Sequence, residues 1–336
     1  MPRLKMTVST ETLRLKKPFH IANFVWEGSD VVVVTLQDRE YQGRGEGGGV
    51  FFLGDDIAHM RAALEEHRDT IEGGPSRDDL REIMPAGGAR NAVDCALWDL
   101  EAERAGKSVW QLAGVSEPKA LRTTFTLGAD TPEAMAKGAL DYAEARSIKI
   151  KLTGDLDLDL ARVRAIREAR DDAWLGVDGN QGFTIDQLPA LIEGLAACDI
   201  SLLEQPLARG HDDELEQIRS SIAIAADESV LTLADVPTAV GRFAVINIKL
   251  DKCGGLTEGL LMAAEARRLG LGVMIGNMIG SSLAMAPAYV LGQGCDIVDL
   301  DGPTFLAADR VPSVVYREGT ISSGPEVWGG SAGVIQ

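Results

Sequence analysis

Charged side chains follow five consecutive apolar runs of the sequence, at the point where each run ends. They are Lys149-Ile150-Lys151, Asp178-Gly179-Asn180, Glu204-Gln205-Pro206, Asp227-Glu228 and Lys249-Leu250-Asp251. Carboxylate oxygens without histidine or cysteine are the ligands that a hard cation such as Mg²⁺ prefers. A partly buried lysine beside positive charge has a lowered pKa and can act as a base near neutral pH. Such a set of residues could bind a metal ion and move a proton.

The spacing of three of these acids predicts that they meet. Glu204 follows Asp178 by 26 residues and Asp227 follows Glu204 by 23, and each distance matches one strand-helix unit. A single acid at such a position is more often a solvated loop carboxylate, but the shared spacing places all three at one level. Three partly dry carboxylates repel one another unless a cation neutralises them. We therefore predict that Asp178, Glu204 and Asp227 bind Mg²⁺.

Lysines precede and follow the acidic positions. Lys149 and Lys151 end the run before them and Lys249 ends the run after them. A lone lysine at a strand end is commonly a surface charge, but these three would bracket the carboxylates from opposite sides. One lysine could then remove the weakly acidic proton beside a substrate carboxylate, and another could return it to the opposite face. This arrangement predicts racemisation or epimerisation.

The elements that must position these residues are eight short apolar runs that alternate with helical patterns after Leu121. The runs span residues 123–127, 147–152, 174–177, 200–203, 222–225, 245–248, 273–275 and 297–300. Leu160, Val163 and Ile166 form one of the helical stripes between them. An open doubly wound sheet shares this local pattern, but no glycine-rich phosphate-binding turn follows the first run. We therefore predict a parallel α/β barrel, whose reacting groups lie at the carboxyl ends of its strands.

The N-terminal region has a different pattern. Residues 6–15 and 31–36 alternate as antiparallel strands do, and Ile57, Met60 and Leu64 form a helical stripe. We predict an α+β domain over residues 1–115 and a barrel over residues 116–310. Residues 311–336 no longer follow the repeat, and we expect them to return to the N-terminal domain.

Composition excludes several classes of function. The 33 Lys and Arg against 51 Asp and Glu give a formal charge of −18, which disfavours a nucleic-acid partner. No apolar run approaches the roughly 20 residues that span a bilayer, and the first residues lack a signal-peptide pattern. We therefore expect no membrane partner and a cytoplasmic location. The scattered cysteines and histidines lack the spacing of a zinc site.

The five strand ends resemble those of the enolase superfamily, specifically its muconate-lactonizing group, which carries K-x-K, D-x-N, E-Q-P, D-E-S and K-x-D in this order. The stretch Arg90-Asn91-Ala92-Val93-Asp94-Cys95-Ala96-Leu97-Trp98-Asp99-Leu100 is similar to the helix that leads into that barrel. The resemblance implies an α/β fold, a modified (β/α)7β TIM barrel with an N-terminal α+β capping domain. It also implies Mg²⁺ as the cofactor and a homo-oligomer as the assembly.

The resemblance assigns roles to the remaining residues of the strand ends. Lys151 and Lys249 would be the two catalytic bases, and Lys149 would be an electrostatic helper to the substrate carboxylate. Asn180 and Asp251 would orient a metal ligand or a lysine without touching the reacting carbon.

The eighth run ends in Asp299-Leu300-Asp301, which resembles the D-x-D with which dipeptide epimerases hold the free ammonium of their substrate. Two more acids at this barrel mouth are costly unless a cation arrives, although an acidic turn has the same sequence. The resemblance thus implies a dipeptide substrate, inverted at the α-carbon of its second residue through an enediolate.

The early loop departs from the pattern of relatives that act on Ala-Glu. They carry an arginine after the Lys-Pro-Phe segment, whereas Asn23 occupies that place here. We predict that Phe19, Asn23 and Phe24 contact the substrate side chain. The neutral amide weakens the case for an acidic side chain, and the aromatic rings would tolerate an apolar one.

Two alternatives to a dipeptide epimerase stay open. The same lysines and metal serve N-acylamino-acid racemases, o-succinylbenzoate synthases and muconate cycloisomerases, whose substrates lack a free ammonium for Asp299 and Asp301. A barrel without catalysis is a third interpretation, against which stands the presence of every expected ligand and base.

Overall fold

The structure is a computed structural model that describes residues 3–21 and 24–330, without the side chains of residues 19–26. The strands are β1 (Lys5–Ile21), β2 (Phe24–Asp38), β3 (Tyr41–Gly47), β4 (Leu121–Arg122), β5 (Phe125–Leu127), β6 (Ser147–Lys151), β7 (Trp174–Asp178), β8 (Ile200–Glu204), β9 (Ala223–Ala226), β10 (Val245–Ile248), β11 (Gly272–Ile275), β12 (Ile297–Val298), β13 (Val315–Arg317) and β14 (Thr320–Ser322). The α-helices are α1 (Ile57–Glu66), α2 (Arg68–Glu72), α3 (Arg77–Ile83), α4 (Gly88–Ala105), α5 (Val109–Leu112), α6 (Pro132–Asp141), α7 (Leu156–Ala169), α8 (Leu188–Ala197), α9 (Leu250–Cys253), α10 (Leu256–Arg268) and α11 (Ser282–Gly292).

The strands β5 to β12 form one parallel sheet in chain order, which confirms the predicted α/β architecture. Each of the eight predicted runs overlaps one of these strands. The backbone N–H of Thr124 donates to the carbonyl of Val298 at 2.9 Å and so connects the two ends of the curled sheet. Ile148, Val177 and Ile248 are buried, as β-branched residues in parallel strands covered on both faces usually are.

Helices cover the outside of the sheet. The predicted stripe Leu160, Val163 and Ile166 is the buried face of α7, and the Asp155 carboxylate caps this helix by accepting from the backbone N–H of Leu158. No helix in the described part of the chain is long and apolar enough to cross a membrane.

Two connections in the barrel lack the α-helix that a (β/α)7β pattern includes. They hold 3₁₀ segments instead, at Asp212–Gln217 and at Leu233–Ala239. The first segment buries only Leu215, so a longer helix there would have no apolar face to pack. The second contains Pro237, which has no N–H to donate to a preceding turn.

The N-terminal domain is an antiparallel sheet, β1-β2-β3, covered by helices. Val32, Val34 and Leu36 point from β2 into a core that includes Met60 of α1 and Leu97 of α4. These residues bury the apolar side of both elements, as the alternation in the strand and the stripe in the helix predict.

Three glycines on one side of β3 bring α4 directly onto the strand. They are Gly43, Gly45 and Gly47, at every second position. A Cβ atom added to Gly45 would lie 2.1 Å from the carbonyl oxygen of Ala92 in α4. The close approach therefore requires residues without a side chain at these positions.

Helix α4 also docks onto the barrel. The Asp94 carboxylate accepts from the Thr257 hydroxyl at 2.6 Å and from the Thr257 N–H at 3.0 Å. The indole N–H of Trp98 donates to the same hydroxyl at 2.9 Å, and the Arg90 guanidinium donates to the carbonyl of Gly254 at 3.2 Å. These contacts fix the N-terminal domain to the segment that directly follows Lys249.

The C-terminal segment divides between the two domains. Strands β13 and β14 pair with β4 beside the barrel. Further on, the N–H of Gly329 donates to the Asp99 carboxylate at 2.9 Å, and the indole N–H of Trp328 donates to the carbonyl of Arg44 at 2.9 Å. The residues that contact the N-terminal domain are thus the last described ones, whereas the hairpin stays with the barrel.

The glycine contact between β3 and α4 generates a stability prediction. Gly45→Ala should lower the free energy of unfolding by at least about 2 kcal/mol, because the added methyl group meets backbone that cannot move aside. Gly294→Ala is the control, since a Cβ atom there meets nothing closer than 3.8 Å. Urea unfolding of both variants measures the difference. Equal stability of the two variants would contradict the packing described here.

Candidate active site

The three predicted metal ligands lie together at the carboxyl ends of neighbouring strands. Asp178 ends β7 and Glu204 ends β8, where they are register partners, and Asp227 directly follows β9. One carboxylate oxygen from each of the three lies within 4.8 Å of the others. All three side chains are buried. The strand register therefore produces the cluster that the spacing predicts.

The charges in this cluster favour a bound cation. Burial and the charge of Asp178 raise the pKa of Glu204 to about 7. Burial alone would also raise the pKa of Asp178, but Lys151 and Lys149 lower it to about 2. Oε2 of Glu204 lies 2.7 Å from Nζ of Lys149 yet accepts no hydrogen bond of normal geometry. A buried carboxylate oxygen without a hydrogen bond is a suitable ligand atom, so the three acids fit Mg²⁺.

The two predicted bases lie on opposite flanks of the acids. Nζ of Lys151, from β6, donates to Asp178 at 2.7 Å, and Nζ of Lys249, after β10, donates to Asp227 at 2.6 Å. Strands β7, β8 and β9 separate β6 from β10 in the sheet. Both lysines line the same cavity. A molecule in that cavity would have an amine on each side.

The expected lowering of the lysine pKa does not hold for Lys249 in this structure. Burial lowers the pKa of Lys249, but the charges of Asp227 and Glu204 outweigh burial and raise it. The physical reason is the number of carboxylates around the amine. A cation held by the same carboxylates would offset their charge and act in the opposite direction.

Lys149 lies between the predicted metal ligands and the eighth strand of the barrel. Its Nζ is 2.7 Å from Glu204, 2.9 Å from Asp299 and 3.2 Å from Asp178. Because these carboxylates surround it, the pKa of Lys149 is raised despite its burial. Its predicted role beside the substrate carboxylate stays a prediction.

Asp299 and Asp301 already have partners within the protein. Asp299 accepts from Lys149 at 2.9 Å and from the hydroxyl of Thr124, and Asp301 accepts from the N–H of Thr126 at 2.6 Å. Both side chains are buried, and burial together with Asp299 raises the pKa of Asp301 to about 7. Their predicted role in binding a substrate ammonium stays a prediction.

The two residues predicted to orient other groups have different surroundings. The N–H of Asn180 donates to Asp178 at 3.0 Å, with a positive φ of 43° at Asn180. The Asp251 carboxylate instead accepts from the N–H of Gly48 and from the side chain of Asn91, both at 2.9 Å. Asp251 thus connects the barrel to the N-terminal domain in this structure, whereas Asn180 contacts a predicted metal ligand.

A cavity of about 620 Å³ lies between the two domains. Lys151 and Lys249 line it from the barrel, and Phe51 and Phe52 line it from the loop after β3. Of the residues predicted to contact the substrate side chain, Asn23 lies outside the described residues. The side chains of Phe19 and Phe24 also lie outside the description, so their predicted contacts stay predictions.

Lys252 is not among the predicted site residues, yet it is fully buried against Asp227. Its Nζ donates to the Asp227 carboxylate at 2.6 Å, to the carbonyl of Asn247 at 3.0 Å and to that of Val230 at 3.1 Å. Burial lowers its pKa even though Asp227 is its partner. Lys252 lies three residues after Lys249, on the helical turn α9. This turn places the amines of both lysines against the Asp227 carboxylate.

Gln205 is a second residue that received no role. Its side-chain oxygen accepts from the N–H of Asp227 at 3.0 Å and from that of Ser229 at 3.2 Å. Its side-chain nitrogen donates to the carbonyl of Leu207 and to the Ser229 hydroxyl, both at 2.9 Å. Gln205 therefore fixes the loop that carries Asp227. Its place directly after a predicted ligand is the signal that could have indicated this.

Glu228 is a further buried acid at the site. Burial and the neighbouring Asp227 raise its pKa to about 8. One of its oxygens lies 3.5 Å from the Asn180 side chain, and the other has no hydrogen-bond partner. Asn247 is a further buried polar residue, and its side chain donates to Glu204 at 2.8 Å.

Comparison with known proteins gives consistent matches over most of the chain. Residues 133–307 match the family model described as "Enolase C-terminal domain-like", and residues 3–114 match "Mandelate racemase / muconate lactonizing enzyme, N-terminal domain". The L-Ala-D/L-Glu epimerase of Escherichia coli (strain K12) is 39% identical over 316 residues, which cover 94% of this chain and 98% of that protein.

Solved structures agree with these matches. An enolase family member from Agrobacterium tumefaciens with homology to dipeptide epimerases, with bound sodium and L-Ala-L-Glu, has a TM-score of 0.94 and 39% identity. The comparison covers 97% of this chain and 100% of that one. The dipeptide epimerase from Methylococcus capsulatus, complexed with Mg and L-Arg-D-Lys, has a TM-score of 0.89 and 30% identity over 96% of this chain and 97% of that one.

The acidic cluster generates a binding prediction. Asp178→Asn, Glu204→Gln and Asp227→Asn should each weaken Mg²⁺ binding by roughly tenfold or more, because each removes a charged ligand from the cluster. Isothermal titration calorimetry with Mg²⁺ measures the change. Asp171→Asn removes an exposed acid away from the cluster and should bind Mg²⁺ as the unmodified protein does. A similar loss of Mg²⁺ affinity in this control would show that the loss reflects the net charge of the protein, and it would contradict the assignment of the three ligands.

Proposed function

The chain belongs to the enolase superfamily, in the group of mandelate racemase and muconate lactonizing enzyme, and we propose on this basis that it is a Mg²⁺-dependent dipeptide epimerase. It would invert the α-carbon of the second residue of a dipeptide. The observation that carries this proposal is the placement of Lys151 and Lys249 on opposite flanks of Asp178, Glu204 and Asp227, at one cavity.

The metal ligands would be Asp178, Glu204 and Asp227. Bound Mg²⁺ supplies a Lewis acid for the negative charge that develops on the substrate carboxylate during proton removal. The chain contributes the fixed geometry of the ligands. Gln205 holds the N–H of Asp227, and the N–H of Asn180 holds the Asp178 carboxylate, so the ligands are positioned before a substrate binds.

The two lysines would carry the proton. One Nζ, in its neutral form, removes the α-proton from one face of the substrate, and the enediolate forms. The other Nζ, as an ammonium, donates a proton to the opposite face, and the α-carbon is inverted. The contacts to Asp178 and Asp227 hold the two amines at fixed positions while this occurs. The scheme can run in either direction, with the roles of the two lysines exchanged.

N-acylamino-acid racemisation is a second candidate function, which one observation favours. Asp299 and Asp301 already accept hydrogen bonds from Lys149 and Thr126, so neither acid depends on a substrate ammonium for a partner. A panel that contains L-Ala-L-Leu and its N-acetylated form separates the two functions. Preference for the free dipeptide supports the epimerase, and preference for the blocked form supports the alternative.

The cellular location and the oligomeric state of the protein stay predictions. We propose a cytoplasmic location, which agrees with four cysteines that are all free thiols. We also propose a homo-oligomer, which sedimentation of the purified protein would test.

The two-base scheme generates a prediction for the lysine variants. Lys151→Ala and Lys249→Ala should each reduce inversion of an L,L-dipeptide at least about a hundredfold, because each removes one of the two proton carriers. Each variant should still exchange the α-proton of the one stereoisomer that faces the remaining lysine. Proton NMR in deuterated water, started from the L,L and the L,D forms, measures both effects.

Lys137→Ala is the matched control, since Lys137 is an exposed lysine on α6 away from the cavity. It should invert and exchange at the rate of the unmodified protein. Unchanged inversion in either active-site variant would reject the two-base scheme. Loss of exchange from both stereoisomers in both variants would also contradict the opposed placement of the two amines.

A further inference from the structure

The cavity between the domains contains few positive charges. Of all arginine and lysine side chains in the described residues, only Lys151 and Lys249 line it. The parts of the chain outside the description cannot add another, because residues 1–2, 19–26 and 331–336 contain no arginine or lysine. Among the lysine and arginine side chains of the described residues, the two predicted bases are therefore the only ones at the cavity.

Both lysines already have carboxylate partners. Lys151 contacts Asp178 at 2.7 Å and Lys249 contacts Asp227 at 2.6 Å. Glu228 also lines the cavity, and its Oε2 is buried without a hydrogen-bond partner. A carboxylate on the substrate side chain would thus enter a region that holds further acids and has no lysine or arginine, among the described residues, that lacks a carboxylate partner. Transferring an ionised carboxylate into such a region is costly.

The acids that line the cavity from the N-terminal domain accept hydrogen bonds from neighbouring residues of that domain. Asp30 accepts from the Thr12 hydroxyl at 2.6 Å, and Asp56 accepts from the backbone N–H of His59 at 2.8 Å. Asp55 accepts from the N–H of Gly88 and from the His59 ring, both at 2.8 Å. Asp30 and Asp56 are also exposed, where water screens their charge. These acids therefore offer weak attraction to a cationic substrate side chain.

The remaining wall combines the polar residues Ser29, Asn180 and Asn277 with a larger apolar part. The apolar part is formed by Phe51, Phe52, Ile57, Met278 and Ile279, each of them at least partly exposed. The rings of Phe51 and Phe52 meet edge to face with centroids 5.4 Å apart, and the Phe51 residue is 37% exposed. Apolar surface of this kind is stabilised when an apolar side chain covers it.

We propose that the epimerised residue of the substrate has an apolar side chain of about the size of leucine or phenylalanine, and that acidic dipeptides are poor substrates. The inference rests on the proposed function and adds the side-chain class to it. The side chain projects from the carbon between the two lysines into the same cavity that Phe51 and Met278 line. Its recognition comes from burial against these residues, with no charged partner.

A substrate panel tests this directly. L-Ala-L-Leu, L-Ala-L-Phe, L-Ala-L-Glu and L-Ala-L-Lys are incubated with the Mg²⁺-loaded protein in deuterated water, and kcat/KM for deuterium incorporation is measured for each. We expect the apolar dipeptides to exceed L-Ala-L-Glu at least tenfold. Equal or faster reaction of L-Ala-L-Glu or L-Ala-L-Lys would overturn the inference and leave the epimerase intact. No incorporation with any dipeptide would overturn the inference together with the proposed function.

A matched pair of variants tests the charge argument separately. Phe51→Arg adds the missing cation at an exposed wall position, and Phe51→Gln changes the same side chain without adding charge. The ratio of kcat/KM for L-Ala-L-Glu to that for L-Ala-L-Leu should rise at least tenfold in Phe51→Arg relative to Phe51→Gln. Met278→Arg and Met278→Gln repeat the comparison at a second position of the same cavity if the first pair folds poorly. An equal ratio within both pairs would overturn the inference.

Discussion

Mutual repulsion among buried carboxylates is the constraint on which this structure depends. Asp178, Glu204 and Asp227 place oxygens within 4.8 Å of one another, out of contact with water. Such a group cannot remain ionised without positive charge nearby. Lysines at the neighbouring strand ends supply part of that charge, and the raised pKa of Glu204, about 7, indicates that the lysines alone do not balance it. The site is thus built around a cation.

Strand register makes this arrangement rigid. Lys151, Asp178 and Glu204 occupy successive partner positions across β6, β7 and β8, so the backbone hydrogen bonds of the sheet determine their relative heights. Buried side chains then hold the site residue that lies beyond the end of its strand. Gln205 and Lys252 both hold Asp227, which lies just beyond the end of its strand. Removing either would leave polar groups buried without partners, which is costly in such a network.

Much of the fold and of the acidic cluster could be predicted from the sequence, because both follow from repeats. Spacing placed Asp178, Glu204 and Asp227 at one level, and the apolar runs located all eight barrel strands. Contacts between distant segments were not predictable in this way. The partners of Asp251 lie in the N-terminal domain, and the direction of the Lys249 pKa depends on how many carboxylates the fold gathers around it.

Part of the wall that would set selectivity therefore lies outside the barrel that carries the chemistry. The acids and lysines stand on barrel strands, whose register admits little variation. The wall that meets the substrate side chain includes Phe51 and Phe52 in a loop of the N-terminal domain, and α4 fixes that domain through Asp94 and Thr257. Because the loop carries no catalytic group, its residues can change without moving the bases. A barrel with one mechanism can in this way serve substrates that differ in side-chain charge.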